Sequence, residues 1–357
     1  MTLVNRTRAH TSQQTRAQLV VGVGFDHRNI TVALVDERAR VLARQQAETP
    51  QRTTRAAATT ITKLILGACL TTERGDGVIR AIGVSVPGQV DPSTGRVSIS
   101  GLKNWTRIAL AKMIEEGLSE SGYDIRNPLN ERRARAQPAI SSQPAIAIQP
   151  HICCAAAAEG WVGGARGKNN VVYLSIGEAI EAGILADGRV LQGAAGMAGW
   201  AGWMGLSEHF KPEYSAHGCL ATEATIGSFV RRAIDEWGGS EHSMLGKIIK
   251  ADPMQLDAAI IIRAARGGDP LALKVVNETC RWIGRGIANL IAILNPEAVV
   301  IGGKLGLSLK PYFDLVREEV ERWGQPDIYK NCRIVSASLG DDAVLLGAAR
   351  LAWHRSS

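Results

Sequence analysis

The sequence predicts an α/β protein of two lobes facing each other across a central cleft. Three observations carry that expectation. Short apolar strands follow one another at 19–24, 30–36 and 41–45, separated by turn residues, as in an antiparallel meander. The same arrangement recurs at 170–176, 182–186 and 190–191, so the second half repeats the logic of the first. Each meander is followed by segments of helical spacing and by short apolar strands, several of which end in glycine turns. Duplicated lobes of this kind take their ligands in the groove between them.

The elements follow in order. A helix is expected at about 54–70 and a strand at 79–86 closed by the Pro87-Gly88 turn, then an amphipathic helix at 109–118. The stretch 127–143 is polar and basic, with Pro128, Pro138 and paired Ser141-Ser142, and is expected as an exposed insertion. A strand at 145–149 runs into an alanine-rich helix at 152–161, which Gly163, Gly164 and Gly167 close. Helices are expected at 220–237, 257–266 and 271–294, and a parallel strand at 298–301 ends in Gly302-Gly303. A further helix, a strand at 332–336 and a helix at 341–352 complete the chain. The expected division is a flexible basic tail at 1–19, a first lobe at 20–150, a second at 151–340, and a C-terminal helix at 341–357 packing back on the first.

Composition narrows the classes. A chain of 357 residues with 45% hydrophobic content can bury two ordinary cores. No apolar run reaches membrane-spanning length, and no signal-like segment follows the arginine-bearing start, so a cytoplasmic protein is expected. Six scattered cysteines, including adjacent Cys153 and Cys154, fit reduced thiols and form no zinc framework. The net charge of +7 is concentrated in arginines near the start and at 132–135, which read as solvated segments. No helix-turn-helix fits into the first 19 residues, so specific DNA binding by this chain is not expected.

Four stretches carry a family resemblance: GVSVPGQVDP at 83–92, LKNW at 102–105, LNPEAVVIGG at 294–303 and ASLGDDAVLLGAA at 337–349. Together they resemble the ROK family (repressors, open reading frames and kinases) of the actin-like sugar-kinase superfamily, from Val20 to the C-terminus. The resemblance implies a two-lobed, actin-like (ribonuclease H-like) ATPase fold with an interlobe cleft. It also implies an ATP-dependent kinase of glucose or an N-acetylated hexosamine, or a sugar-responsive repressor.

Carried over position by position, the resemblance shows what is replaced. The family's Asn-Asp pair, which supplies the general base, is Pro150-His151 here. Its Glu-x-x-His motif is Trp200-Ala201-Gly202-Trp203, its glutamate after Gly-Cys-Leu is Ala221, and the asparagine of its Asn-Leu motif is Gly101. Asn104 is kept, and Glu223 stands two residues late as a displaced carboxylate. The first phosphate loop becomes Gly24, Asp26, His27 and Arg28; the second becomes Gly177-Glu178-Ala179-Ile180-Glu181. Bare backbone N–H groups hold phosphate oxygens in such loops, whereas nearby carboxylates repel them. Of the family's zinc ligands only Cys219 remains, with Trp203, Pro212 and Tyr214 at the others, so no zinc is expected.

His151 therefore admits three readings: a replacement general base, a ligand contact, or a packed residue at a helix start. Trp200 and Trp203 fill an emptied pocket or rebuild it for a more apolar ligand. Arg28, Gly177, Gly302, Gly303 and Lys304 are the candidate nucleotide contacts; the glycines alternatively serve strand-to-helix packing. The expected function is a ROK protein with a degenerate kinase site that senses a sugar-like molecule or binds a partner. An ATP-dependent hexose or N-acetylhexosamine kinase is the alternative, and a structural homo-oligomer the second alternative. No cofactor is expected, with ATP or adenosine and Mg left open. The expected partners are a small molecule and further copies of the chain, in a homodimer or larger assembly, with no membrane.

Overall fold

The computed structural model describes residues 18–71, 78–121, 139–239 and 243–356. The first lobe begins with β1 (Gln18–Phe25), β2 (Asn29–Asp36) and β3 (Val41–Glu48), then α1 (Thr54–Thr71) and β4 (Val78–Val86). A small hairpin, β5 (Gln89–Val90) and β6 (Val97–Ser98), precedes α2 (Leu110–Glu120) and β7 (Ala139–Pro150). Next come α3 (His151–Trp161), β8 (Val171–Ile176), β9 (Ile180–Ala186) and β10 (Arg189–Val190). The helical part of the second lobe contains α4 (Tyr214–His217), α5 (Cys219–Ala224), α6 (Ile226–Asp235), α7 (Met244–Ala251), α8 (Ala258–Arg266) and α9 (Pro270–Leu294). The chain closes with β11 (Ala298–Gly302), α10 (Lys304–Ser308), α11 (Phe313–Trp323), α12 (Pro326–Tyr329), β12 (Arg333–Ser336) and α13 (Asp342–Ser356).

The duplication expected from the sequence is visible in the sheets. One is ordered β3-β2-β1-β4-β7 and the other β10-β9-β8-β11-β12. In each, three antiparallel strands form the meander and two parallel strands follow. β1 is buried along almost its whole length, as a central strand covered on both faces must be. One face of the first sheet packs on α1 and α2 through Ile61, Ile65, Leu110 and Ile114. The second lobe's core gathers on α9, α8 and α11 around Ile283, Ile287, Ile261 and Val316.

The alanine-rich sequence of α3 follows from its position between the lobes. Ala155 and Ala158 join a cluster with Val20, Ala81 and Leu345 of the first lobe and α13, while Ala156 and Ala157 join Val171, Leu185 and Val300 of the second. A helix buried on both sides needs small side chains all round, so it lacks a distinct polar stripe. α13 lies across β1 and β4 of the first sheet and against α3. Glu159, fully buried near the end of α3, accepts the N–H groups of Gly164, Ser338 and Leu339, tying α3 to the start of α13.

Three expectations need correction. The strand before His151 starts at Ala139, so 139–143 belongs to the sheet rather than to an insertion loop. Ala139 pairs with Val78, and an irregularity between Ile79 and Ala81 absorbs the extra residues. β7 is an edge strand, where proline and serine are tolerated, and this disguised it. The rest of that insertion, 127–138, lies outside the described residues, as does the tail as far as 17. The single helix expected at 220–237 is two helices. Thr225 turns extended (φ −75°, ψ 169°) and its side chain accepts from the Ser228 N–H, capping α6. Finally, α7 was not foreseen; Ser243 caps it by accepting from the Gly246 N–H.

Candidate functional site

The lobes enclose a cavity of about 410 Å³, walled by Pro87 and Ser98 of the first lobe, His151 at the start of α3, and Glu181 and Trp200 of the second. Pro150 (φ −58°, ψ 147°) ends β7 in extended geometry, so the next residue, His151, begins α3 at the cavity wall. Its Nε2 lies 2.9 Å from the Phe25 carbonyl oxygen. A carbonyl only accepts, so Nε2 carries the hydrogen and donates. Burial is the largest influence on this imidazole and lowers its pKa; the Phe25 and Ser85 backbone groups and Asp26 oppose it without prevailing. His151 is therefore neutral at pH 7, with Nε2 occupied by the backbone.

The opposite wall depends on one close crossing. The Ala182 N–H donates to the Gly199 carbonyl at 2.6 Å. Gly199 has φ +94°, and a Cβ there would lie 1.8 Å from the Ala182 oxygen, so only glycine fits. The crossing brings Glu181 and Trp200, the residues flanking it, to the same wall. Trp200 is 44% exposed, its ring centroid 6.4 Å from that of Trp203, which stands beside the cavity rather than in its lining. Behind the cavity, buried Gln149 accepts from Gln192 Nε2 at 3.1 Å. Burial, reinforced by Glu181, pushes the Cys153 thiol up to about 12, so it is no nucleophile at neutral pH.

The other sequence candidates lie elsewhere. Asn104 is exposed with φ +66°, and its neighbour Trp105 is buried against Phe25, ring centroids 4.8 Å apart. Glu223 is buried under a separate cavity, where its carboxylate meets Lys211 Nζ and Tyr214 Oη at 2.6 Å each and Arg232 at 3.0 Å. Those donors account for it without a ligand. The Gln89, Ser98, Ser100 and Gln192 lining was missed by the sequence reading; polar residues beside the Pro87-Gly88 turn were its only signal.

Each phosphate-loop equivalent uses some of its amides internally. Asp26 Oδ1 accepts the N–H groups of Arg28 at 2.6 Å and Asn29 at 2.7 Å, taking donors that a phosphate would need. Arg28 itself is exposed. The Gly177 N–H donates to the Ala179 carbonyl at 3.0 Å, and the Gly177 carbonyl accepts from Ile226 at 2.9 Å. Glu178 and Glu181 flank that turn. Gly302 and Gly303 are required by packing. A Cβ on Gly302 would lie 2.1 Å from the Tyr173 hydroxyl, and one on Gly303 (φ +77°) 2.5 Å from the Ile176 nitrogen. Neither Gly177 nor Gly303 lines the cavity with His151; Lys304 is exposed at the start of the short α10.

The zinc position of the family does not fit a metal here. Tyr214 is hydrogen-bonded to Glu223, Cys219 Sγ accepts from the Leu206 N–H at 3.4 Å, and Trp203 and Pro212 offer no donor. A single thiol already in use does not make a structural zinc site.

Comparison with known proteins agrees with this architecture. The sequence profile of the ROK family matches residues 20–122 and 141–355. A glucokinase of Thermotoga maritima is 25% identical over 276 residues, 77% of this chain and 79% of that one. A xylose repressor of Caldicellulosiruptor bescii is 26% identical over 275 residues, 75% of this chain but only 61% of the repressor. The ROK hexokinase of Thermus thermophilus superposes with a TM-score of 0.73 at 23% identity, over 94% of this chain and 98% of that one. With the two-lobed fold, the interlobe cavity and the profile in agreement over most of its length, the chain belongs to the ROK family.

Proposed function

We propose that this protein binds a small sugar-like molecule in the interlobe cavity without phosphorylating it, and acts as a sensor. The observation that carries this reading is His151. At the position of the family's catalytic aspartate stands a neutral imidazole whose Nε2 is bound to the Phe25 carbonyl. Removing a general base costs about 10²- to 10⁴-fold in rate. Phosphoryl transfer depends mainly on positioning and charge neutralisation, and here the Arg28 and Asn29 amides are taken by Asp26 and the Gly177 amide by Ala179, with carboxylates at the turn.

A coupled ATP-consumption assay against hexoses and N-acetylhexosamines tests the proposal. The expected result is no sugar-dependent turnover, and no change in His151→Ala. Turnover of several per second with any sugar, lost in His151→Ala, would instead establish the kinase reading. That second reading is favoured by the Thermotoga glucokinase, which covers 77% of this chain.

Nucleotide binding gives a second check. We expect adenosine to bind no more weakly than ATP, because Asp26, Glu178 and Glu181 oppose a triphosphate. Calorimetry with adenosine, AMP, ADP and ATP measures this directly. Affinity climbing steeply with phosphate number would mean that a working phosphate site exists.

A further inference from the structure

We propose that the interlobe cavity takes a hydroxylated primary amine, an amino sugar in its protonated form, with Glu181 as counter-ion and Trp200 as the face beneath it. The inference rests on the reading of the cavity as a small-molecule site and specifies the chemical class of the ligand.

Charge points to the class. The protein carries a net charge of +7, yet among the described residues the cavity wall contains no lysine or arginine and one charged side chain, Glu181. Asp26 lies close enough to act electrostatically on His151, which adds negative potential at the floor. A phosphate or carboxylate ligand would meet repulsion here and a cation attraction, at ranges where each charge pair is worth about 1 kcal/mol or more.

Glu181, exposed at the cavity wall, differs from the chain's buried carboxylates. Glu159 has three backbone donors, Glu223 has Lys211, Tyr214 and Arg232, Glu319 has Arg285 and Trp323, and Asp269 has Ser243 and two amides. The Glu181 carboxylate has no hydrogen-bond or ion-pair partner among the described residues. Desolvation by the cavity walls holds its carboxyl above the usual carboxylate range. An unpaired carboxylate at the wall of a cavity with no other charged side chain offers its charge to a cationic ligand.

The remaining wall suits the rest of such a molecule. Ser98, Ser100, Gln89 and Gln192 offer hydroxyl and amide groups of both hydrogen-bonding senses. The Trp200 ring, 44% exposed beside Glu181, can stack on a sugar face and attract an ammonium through its π-system. The cavity's volume of about 410 Å³ lies in the range of small-molecule sites.

The test is calorimetry on the full chain with glucose, its 2-, 3- and 6-amino-deoxy analogues, N-acetylglucosamine and glucose 6-phosphate. At least one amino analogue is expected to bind about tenfold more tightly than glucose, which corresponds to about 1.4 kcal/mol. Glucose 6-phosphate is expected to bind most weakly. Glu181→Gln should erase the amine preference, weakening the preferred amino analogue about tenfold more than it weakens glucose, and Trp200→Ala should weaken every sugar. Equal affinity for glucose and all amino analogues, or a preference that survives in Glu181→Gln, overturns the amine assignment but leaves the cavity a sugar site. Preferential phosphorylation of an amino sugar would support the assignment while defeating the sensor reading. No binding of any of these ligands to folded protein would defeat both.

Discussion

Gly347→Ala is expected to destabilise the protein by about 3 kcal/mol or more, at the upper end of what overpacking costs. A Cβ at this position would lie 1.8 Å from the Cys154 carbonyl oxygen, 2.4 Å from its carbon and 2.8 Å from its Cα. All three are backbone atoms of α3, so no flexible side chain can move aside; the two helices would have to separate. The same contact pattern recurs at Gly83 against the Ala348 oxygen and at Gly183 against the Ile152 oxygen. Alanine's better helix propensity, about 1 kcal/mol over glycine, is too small to compensate. The control is Gly227→Ala in α6, where nothing lies within 4 Å of the new Cβ, and which should stay within about 1 kcal/mol of the parent. Urea unfolding midpoints decide between them. Parent-like stability in Gly347→Ala would mean that α3 and α13 do not meet this closely. Because His151 starts α3, any variant that survives should also bind ligand less tightly.

These glycines illustrate which features the sequence can disclose. Strand periodicity and the repeated meander made both sheets readable, since alternation and turn residues are local signals. The proximity of α3 and α13 was not readable. Gly347 lies 193 positions from Cys154 in the numbering, and nothing local in a run of alanines and glycines names its neighbour. The break at Thr225 was missed because a threonine inside a helix-compatible run becomes a cap only when tertiary packing selects it. The hidden start of β7 at Ala139 has the same origin: its pairing with Val78 is long-range, and its own residues are polar or proline-rich.

The site was legible by position but only partly by chemistry. Family correspondence singled out His151 and Trp200, and both line the interlobe cavity, on facing walls. It could not show that Nε2 would be held by the Phe25 carbonyl, since that depends on the end of β1 meeting the start of α3. Asp26 was read as repelling phosphate. The structure adds a second effect, because its carboxylate also occupies the Arg28 and Asn29 amides. Glu181 first registered as one of two glutamates in a phosphate loop; its position in the cavity wall makes it the one unpaired charge there among the described residues.

Glu223→Gln is the second large effect, and it separates a structural carboxylate from a ligand-binding one. Glu223 is 6% exposed and holds Lys211, Tyr214 and Arg232 together, while Arg232 also bonds the Glu223 carbonyl and Thr279. Neutralising it leaves the largely buried Arg232 guanidinium without its counter-charge, at a cost of about 3 kcal/mol. The pH dependence follows from the same contacts. Burial pushes this carboxyl up, but the hydrogen bonds from Lys211 and Tyr214 and the charges of Lys211 and Arg232 outweigh it and hold the pKa below its ordinary 4.5. A depressed carboxylate contributes stability above its unfolded pKa and loses it as pH falls through the folded one. The parent should therefore weaken as pH drops below the ordinary carboxylate range. Glu223→Gln should show a shallower fall there, by up to the one-proton limit of about 1.4 kcal/mol per pH unit. Asp36, Asp91, Asp269 and Glu297, also held below their ordinary values, supply the acid sensitivity that remains. Sugar affinity should change less than twofold, because Glu223 lies under a separate cavity from His151. Intact stability with lost sugar binding would return Glu223 to the ligand site; an unchanged pH slope would mean that its carboxylate is not held by these partners.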